Sequence, residues 1–295
     1  MATLRDIRRR IRGVTSIQQI TRAMQMVATA KMRRAQARVR AARPYAEEMG
    51  LVLATLTERA REYRHPFLAG SEGGAGLLVL ITSDRGLCGA LNVNTIRLAH
   101  REMVRRFGPG YQVVTVGRKG REFARRNRLQ VVRDVSGLPD RPSPAEVQPA
   151  SAAAIEVFLA GTVQHVLLAF AAYRSILAQE AVVTELIPVP PSSAADSERA
   201  ARAAQGSDYL YEPDAQAVLD ELLPRAIEGR VYQAVLENQA SEWSARMVAM
   251  RSATDNADDL IRQLTLTANK VRQAAITREL MEIVGGAEAL RAGAR

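Results

Sequence analysis

One cysteine, Cys88, is all the thiol this chain of 295 residues carries. An intrachain disulfide and a cysteine-based zinc site are both excluded. Histidine is nearly as scarce. His65, His100 and His165 lie far apart and without metal-ligand spacing, so no metal is expected. Aromatic residues are only 4%. Ala, Arg and Leu abound instead, which suits long helices better than a sandwich or barrel. No apolar run approaches the roughly 20 residues that span a bilayer. No secretory apolar segment follows Met1. The Arg-rich start imitates an organelle transit peptide, but its apolar pattern continues unbroken into the next forty residues. The expectation is mature protein in a cytoplasmic compartment.

Helix breakers are missing from both ends of the sequence. No proline precedes Pro44, and no glycine lies between Gly13 and Gly50. Leu4, Ile7, Ile11, Val14, Ile17, Ile20, Met24 and Val27 recur at three- and four-residue steps, the mark of one helical stripe. A helix from Thr3 to Tyr63 would be about 90 Å long, with Pro44 bending it or marking an irregularity. From Arg230 to Val284 proline and glycine are again absent. Ile261, Leu264, Ala268, Val271 and Ala275 form a heptad-like seam, and Gly285-Gly286 should loosen or end that helix. Neither helix can bury its stripe alone. Pairing them antiparallel is the simplest solution, giving a globular foot with a rod projecting from it.

Between these ends the pattern changes after "AGSEGGAG". "LLVLIT", "YQVVTVG", "LQVVRDV", "HVLLAFAAY" and "EAVVTELIPV" read as strands. "NVNTIRLAHREMVRRF", the basic stretch to Arg128 and "AAAIEVFLAG" read as helices. Alternation of this kind predicts a small α/β domain with a largely parallel sheet. The segment from Pro188 to Ser207 is polar and low in complexity, as in a loop. The expected division is 1–68 for the first coiled-coil helix, 69–208 for the α/β domain and 209–295 for the last helix.

Acidic residues are scarce where basic ones crowd. Residues 1–50 hold twelve Arg and Lys against Asp6, Glu47 and Glu48, so +9 of the net +10 falls there. Nucleic acid, an acidic protein surface and a solvated basic face all fit that concentration. "KMRRAQARVRAAR" has no aromatic interleaving, and its charges spread around the helix. A basic coiled-coil nucleic-acid-binding protein is the alternative reading. Phosphate-binding signatures are absent from the α/β domain. "TSDRGLCGALN" and "VGRKG" offer only G-x-x-G, which tight turns explain. No paired carboxylates or nucleophile–base sets appear, so no catalytic residue and no cofactor is expected.

"RMVAMRSATDNADDLIRQL" (Arg246 to Leu264) is ambiguous alone. Ser252, Thr254, Asp255 and Asn256 with the following acids look like a helix start. Its flanks are helical, and one continuous helix would make this a narrow polar collar. Small residues would then admit the first helix, with acids facing its arginines.

Several blocks together resemble one family, in its order and across nearly the whole chain. "SIQQITRAMQMVATAKMRRAQ", "SDRGLCGALN", "DYLYEPD", "ARMVAMRSATDNADDLI" and "NKVRQAAITRELMEIVGGAEAL" are similar to segments of the gamma subunit of F-type ATP synthases. The resemblance implies an α/β fold with long helices. An antiparallel two-helix coiled coil of the N- and C-terminal helices joins a central Rossmann-like α/β domain. It implies a central rotor shaft, one copy per complex, turned by the c-ring inside a hexamer of alpha and beta subunits, with epsilon beside the foot. ATP chemistry would belong to beta. By the same resemblance Met24, Lys31, Arg33, Cys88, Arg272, Gln273 and Thr277 contact the hexamer. Tyr209, Leu210 and Tyr211 match the segment near the c-ring and epsilon. The implied location is peripheral, on the cytoplasmic side of the inner or plasma membrane. A lone Cys88 excludes the inserted dithiol switch of the plastid form, and the missing transit peptide favours a bacterial type.

Overall fold

The computed structural model describes residues 3–59, 65–68, 74–189 and 214–293. The elements in chain order are α1 (Leu4–Arg59), β1 (Gly76–Ile81), α2 (Leu91–Phe107), β2 (Gln112–Val116) and α3 (Arg118–Arg126). They continue with β3 (Gln130–Val135), α4 (Pro144–Leu159), β4 (His165–Tyr173), β5 (Gln179–Ile187) and α5 (Ala215–Gly293). Two compact units arise, residues 1–27 with 248–295, and residues 28–247. Among the described residues no helix is long and apolar enough to cross a membrane.

Both long helices begin on a side-chain cap. Thr3 Oγ1 accepts the Asp6 N–H at 3.3 Å, and Asp6 Oδ2 accepts the Thr3 N–H at 3.2 Å. That reciprocal pair occupies two N–H groups a helix start leaves free. Asp214 Oδ1 accepts the Ala217 N–H at 2.8 Å and starts α5. Helical backbone continues through Pro44 and Pro224. It also continues through Gly285 and Gly286, against the sequence expectation that this pair loosens or ends the helix. Glycine costs a helix interior about 1 kcal/mol relative to Ala, which weakens the helix without stopping it.

In the first unit the helices run antiparallel. The Thr21 and Thr254 hydroxyls lie 2.8 Å apart and share a hydrogen bond. Gln18, nearer the start of α1, donates to Asp258, further along α5. The stretch from Arg246 to Leu264 is helical throughout, as a continuous polar collar requires. Thr254 and Ala257 are buried, so small side chains do face α1. The acids differ from expectation. Asp258 meets Gln18, not an arginine, while Asp255 and Asp259 point to solvent. The stripe on α1 also departs from its pattern. Ile17, Ile20 and Val27 are more than half exposed. Three consecutive steps of three residues, from Ile11 to Ile20, each fall about 60° short of a full turn. The apolar row therefore leaves the seam, and Gln18 and Thr21 take its place. On α5 the seam holds through Val271, and every side chain from Arg272 to Ala287 is exposed.

The second unit is built on a five-stranded sheet of order β3-β2-β1-β4-β5. Strands β1 to β4 are parallel, and β5 pairs antiparallel with β4. β1 is buried on both faces, which is why its sequence reads as an unbroken apolar run. Its alternate residues serve two cores. Leu78 and Leu80 pack with Ala99, Met103 and Ala124 of α2 and α3. Leu77, Val79 and Ile81 pack with Val147 and Ala150 of α4, Leu56 of α1 and Leu223, Ile227 and Val231 of α5. α4 starts eight residues earlier than "AAAIEVFLAG" suggested, because Ser143 and Glu146 close a capping box and Pro144 takes the first turn. Within this unit α1 and α5 are again antiparallel, with Ala35 and Val39 against Ala240 and Leu236.

Candidate functional site at the carboxyl end of the sheet

In open parallel sheets, ligands lodge outside the carboxyl ends of the strands, where strand order reverses. Here that reversal lies between β1 and β4. A crevice of about 450 Å³ opens beside it, lined among others by Asp84, Gly117, Gly137, Asp140, Glu242 and Trp243.

A helix start facing such a crevice normally offers free N–H groups to an anion. At α3 they are already taken by the end of β1. Asp84 Oδ1 accepts the Arg118 N–H at 2.9 Å. The Ser83 carbonyl accepts the Lys119 N–H at 3.2 Å. Thr82 Oγ1 accepts the Gly120 N–H at 2.8 Å. The other Asp84 oxygen, Oδ2, takes the Gly137 N–H beyond β3 at 2.9 Å. One carboxylate thus bridges the ends of two neighbouring strand–helix turns, in the seat a phosphate would use. Gly117 makes the close approach possible. Its φ is +95°, and a Cβ there would lie 2.2 Å from the Thr82 carbonyl oxygen.

The reversal point itself is filled by α5. Beyond the end of β1 the Ala171 N–H of β4 has no strand partner on that side, and Asn238 Oδ1 accepts it at 3.2 Å. Ala245 packs on Cys88, Leu91 and Ala171. Arg246 Nη2 donates to the Gly86 carbonyl at 3.1 Å and the Arg85 carbonyl at 3.4 Å. It also pairs with Glu242 at 2.7 Å, with side-chain exposures of 5% and 13%. Burial pushes the Glu242 carboxyl above its ordinary value, against the downward pull of Arg246. Two cations, Lys31 Nζ and the Arg246 guanidinium, each lie over the Trp243 ring, 4.6 Å from its centroid. Lys31 also pairs with Asp140 at 2.8 Å.

The turn after β1 is braced from within. Asn92 Oδ1 accepts the Ser83 N–H at 3.0 Å, while its Nδ2 donates to Ser83 Oγ at 2.7 Å and to Cys88 Sγ at 3.3 Å. Leu87 sits at φ +63° and is exposed. Cys88 is buried, and burial raises its thiol above the ordinary value. It should resist alkylation by iodoacetamide at neutral pH and react fully once the chain is unfolded in urea. Rapid labelling of the folded chain would contradict this burial.

The chain's own carboxylate and helix thus hold the polar groups at this end of the sheet. Comparison with known proteins places the whole chain in one family. The family model described as ATP synthase matches residues 3–290. The chain is 45% identical over 294 residues to the ATP synthase gamma chain of Paraburkholderia phytofirmans, with 98% of this chain and 100% of that one covered. Identity to the ATP synthase gamma chain of Heliobacterium modesticaldum is 45% over 292 residues, with the same coverage.

The chain belongs to the ATP synthase gamma-chain family.

Solved structures carry the same fold. A chain of the Euglena gracilis mitochondrial ATP synthase, in its OSCP, F1 and c-ring structure, aligns with a TM-score of 0.68. It is 21% identical, with 99% of this chain and 96% of that chain covered. A chain of the Tetrahymena thermophila mitochondrial ATP synthase central stalk and c-ring aligns at 0.60, with 24% identity and coverage of 79% and 99%.

The positions carried over from the gamma-chain resemblance fall in different surroundings. Lys31 and Cys88 flank the seated helix, one at the crevice and one inside the turn after β1. Arg33 is exposed on α1. Met24, half-buried, belongs to the other unit, as do the exposed Arg272, Gln273 and Thr277. Tyr209, Leu210 and Tyr211 lie outside the described residues, as does most of the stretch from Pro188 to Ser207. Motif reading missed Asp84, Asn238, Asp140 and Trp243. Asp84 was the most legible of them, an acid directly after an apolar strand and before a glycine turn.

Proposed function

We propose that this gamma-family chain is the central rotor shaft of an F1Fo ATP synthase, coupling c-ring rotation to conformational change in an alpha/beta hexamer. The observation that carries the reading is the end of α5. Among the described residues every side chain from Arg272 to Ala287 is exposed, and Ile276, Leu280, Met281, Ile283 and Val284 are each at least half exposed. Apolar surface of that extent calls for a sleeve. A hexamer of alpha and beta subunits supplies one. The working parts are 1–68 and 209–295 as coiled-coil helices and 69–208 as foot. Epsilon and the c-ring contact Tyr209, Leu210 and Tyr211, directly after the foot. One copy serves each complex, held peripherally on the cytoplasmic side of the inner or plasma membrane.

Hexamer contacts are assigned to Met24, Lys31, Arg33, Cys88, Arg272, Gln273 and Thr277. Two of these contacts have structural conditions. Lys31 must meet an acid of the hexamer while keeping Asp140, which the three donors of its ammonium allow. Cys88 reaches a partner only through its exposed neighbour Leu87. Family membership lends no support to the nucleic-acid alternative. Mixing the purified chain with cognate alpha and beta subunits should yield a complex of one copy per hexamer with stimulated ATP hydrolysis. Failure to assemble or to stimulate would reject the reading.

A further inference from the structure

The loop between β3 and α4, residues 137–142, is tied to three separate parts of its unit. The Gly137 N–H goes to Asp84 at the end of β1. The Pro139 carbonyl accepts Gln239 Nε2 of α5 at 3.0 Å. The Pro142 carbonyl accepts the Tyr232 hydroxyl of α5 at 3.1 Å. Asp140 pairs with Lys31 of α1 at 2.8 Å. At its far end Ser143 locks into the α4 capping box. Gln239 and Tyr232 are seven residues apart, two turns on one face of α5.

These ties differ in kind from the packing around them. The core between the sheet, α4 and α5 is Leu, Val, Ile and Ala. Apolar burial is non-directional, and its interdigitated side chains share any sideways load over many small contacts. Hydrogen bonds are directional and weaken steeply when bent. The loop is short and holds two prolines, Pro139 and Pro142, which fix its backbone φ. It is therefore a stiff tie between the sheet and the two helices, while Gly137, Pro139 and Asp140 remain exposed.

We propose that the β3–α4 loop is the torsional clamp of the shaft. Tyr232, Gln239 and Lys31 are its positioning residues, through which turning force passes between the sheet and the helix pair. This rests on the shaft reading above. The clamp contributes stiffness, and the ATP chemistry stays with the hexamer.

The test uses the assembled complex with the hexamer fixed to a surface and a probe on an exposed position of α3. The variant combines Tyr232→Phe, Gln239→Leu and Asp140→Asn. Its angular variance during catalytic pauses should rise about twofold, since two hydrogen bonds are lost and a third contact loses its charge. Unloaded ATP hydrolysis should stay at the parent rate, and proton pumping per ATP should fall. Asp140→Glu, which keeps the charge, should retain parent variance. If the triple variant does not assemble, the near-isosteric double Tyr232→Phe/Asp140→Asn is read in the same way. Unchanged variance overturns the clamp, whether or not the thermal midpoint has dropped. A parent complex that assembles but does not rotate overturns the shaft reading itself.

Discussion

Arg246→Met is expected to cost the isolated chain about 3–5 kcal/mol of folding stability at neutral pH. The guanidinium is almost fully buried, and its loss leaves three groups wanting. Glu242 keeps a charge with no counter-charge, and the Arg85 and Gly86 carbonyls lose their donor. The penalty is mostly that of an abandoned buried carboxylate, so it depends on pH. Burial already raises the folded-state value of Glu242. Without Arg246 that rise grows, because the group's main downward influence is gone. A carboxyl that binds its proton more tightly folded than unfolded stabilises at low pH. That stability is lost as pH rises from the ordinary glutamate value of 4.5 through the folded one. The deficit of the variant should therefore shrink on acidification. Glu242→Leu added to Arg246→Met should recover much of it, since two apolar groups replace the ion pair. Trp243 is the only tryptophan and stacks on Arg246, so its fluorescence follows urea unfolding at this spot. A deficit below about 1 kcal/mol, or one indifferent to pH, would show that the pair behaves as a surface pair.

Gly117→Ala should cost about 3 kcal/mol or more, the sum of a backbone conformation reserved for glycine and a clash with backbone. Gly117 has φ +95° and ψ 146°. The added Cβ would meet the Thr82 carbonyl at 2.2 Å. Thr82 cannot retreat cheaply, because its N–H is bonded to Val116 at 2.8 Å and its hydroxyl serves Gly120. Gly117 is fixed as well, its N–H bonded to Val135 at 2.9 Å. Gly286→Ala is the opposite control. Nothing lies within 4 Å of its missing Cβ, so helix propensity alone should leave stability unchanged or raised by up to about 1 kcal/mol. Equal urea midpoints for Gly117→Ala and the parent would mean that the close approach at the strand end is not rigid.

How much of this was readable beforehand follows from what each pattern encodes. The strands were legible because burial on both faces leaves little choice but Val, Leu and Ile, as in Leu77 to Ile81. α4 was cut short because its start is written in Ser143, Pro144 and Glu146, not in periodicity. The α1 stripe misled because spacing near three residues looks helical while drifting off the face, and only the partner helix shows where the row leaves the seam. Gly285 and Gly286 looked like a stop, yet two glycines only weaken a helix. The seat at the sheet end was hidden for a different reason. Asp84 and Asn238 are 154 positions apart in sequence, and each satisfies backbone groups that no motif announces.

Asp84 in the phosphate seat has one more consequence. In this chain two N–H groups at that seat are held by a carboxylate of the same chain, at the high but finite effective concentration of a tethered group. An anion arriving at this helix start would have to displace Asp84 before it met the Arg118 and Gly137 N–H groups.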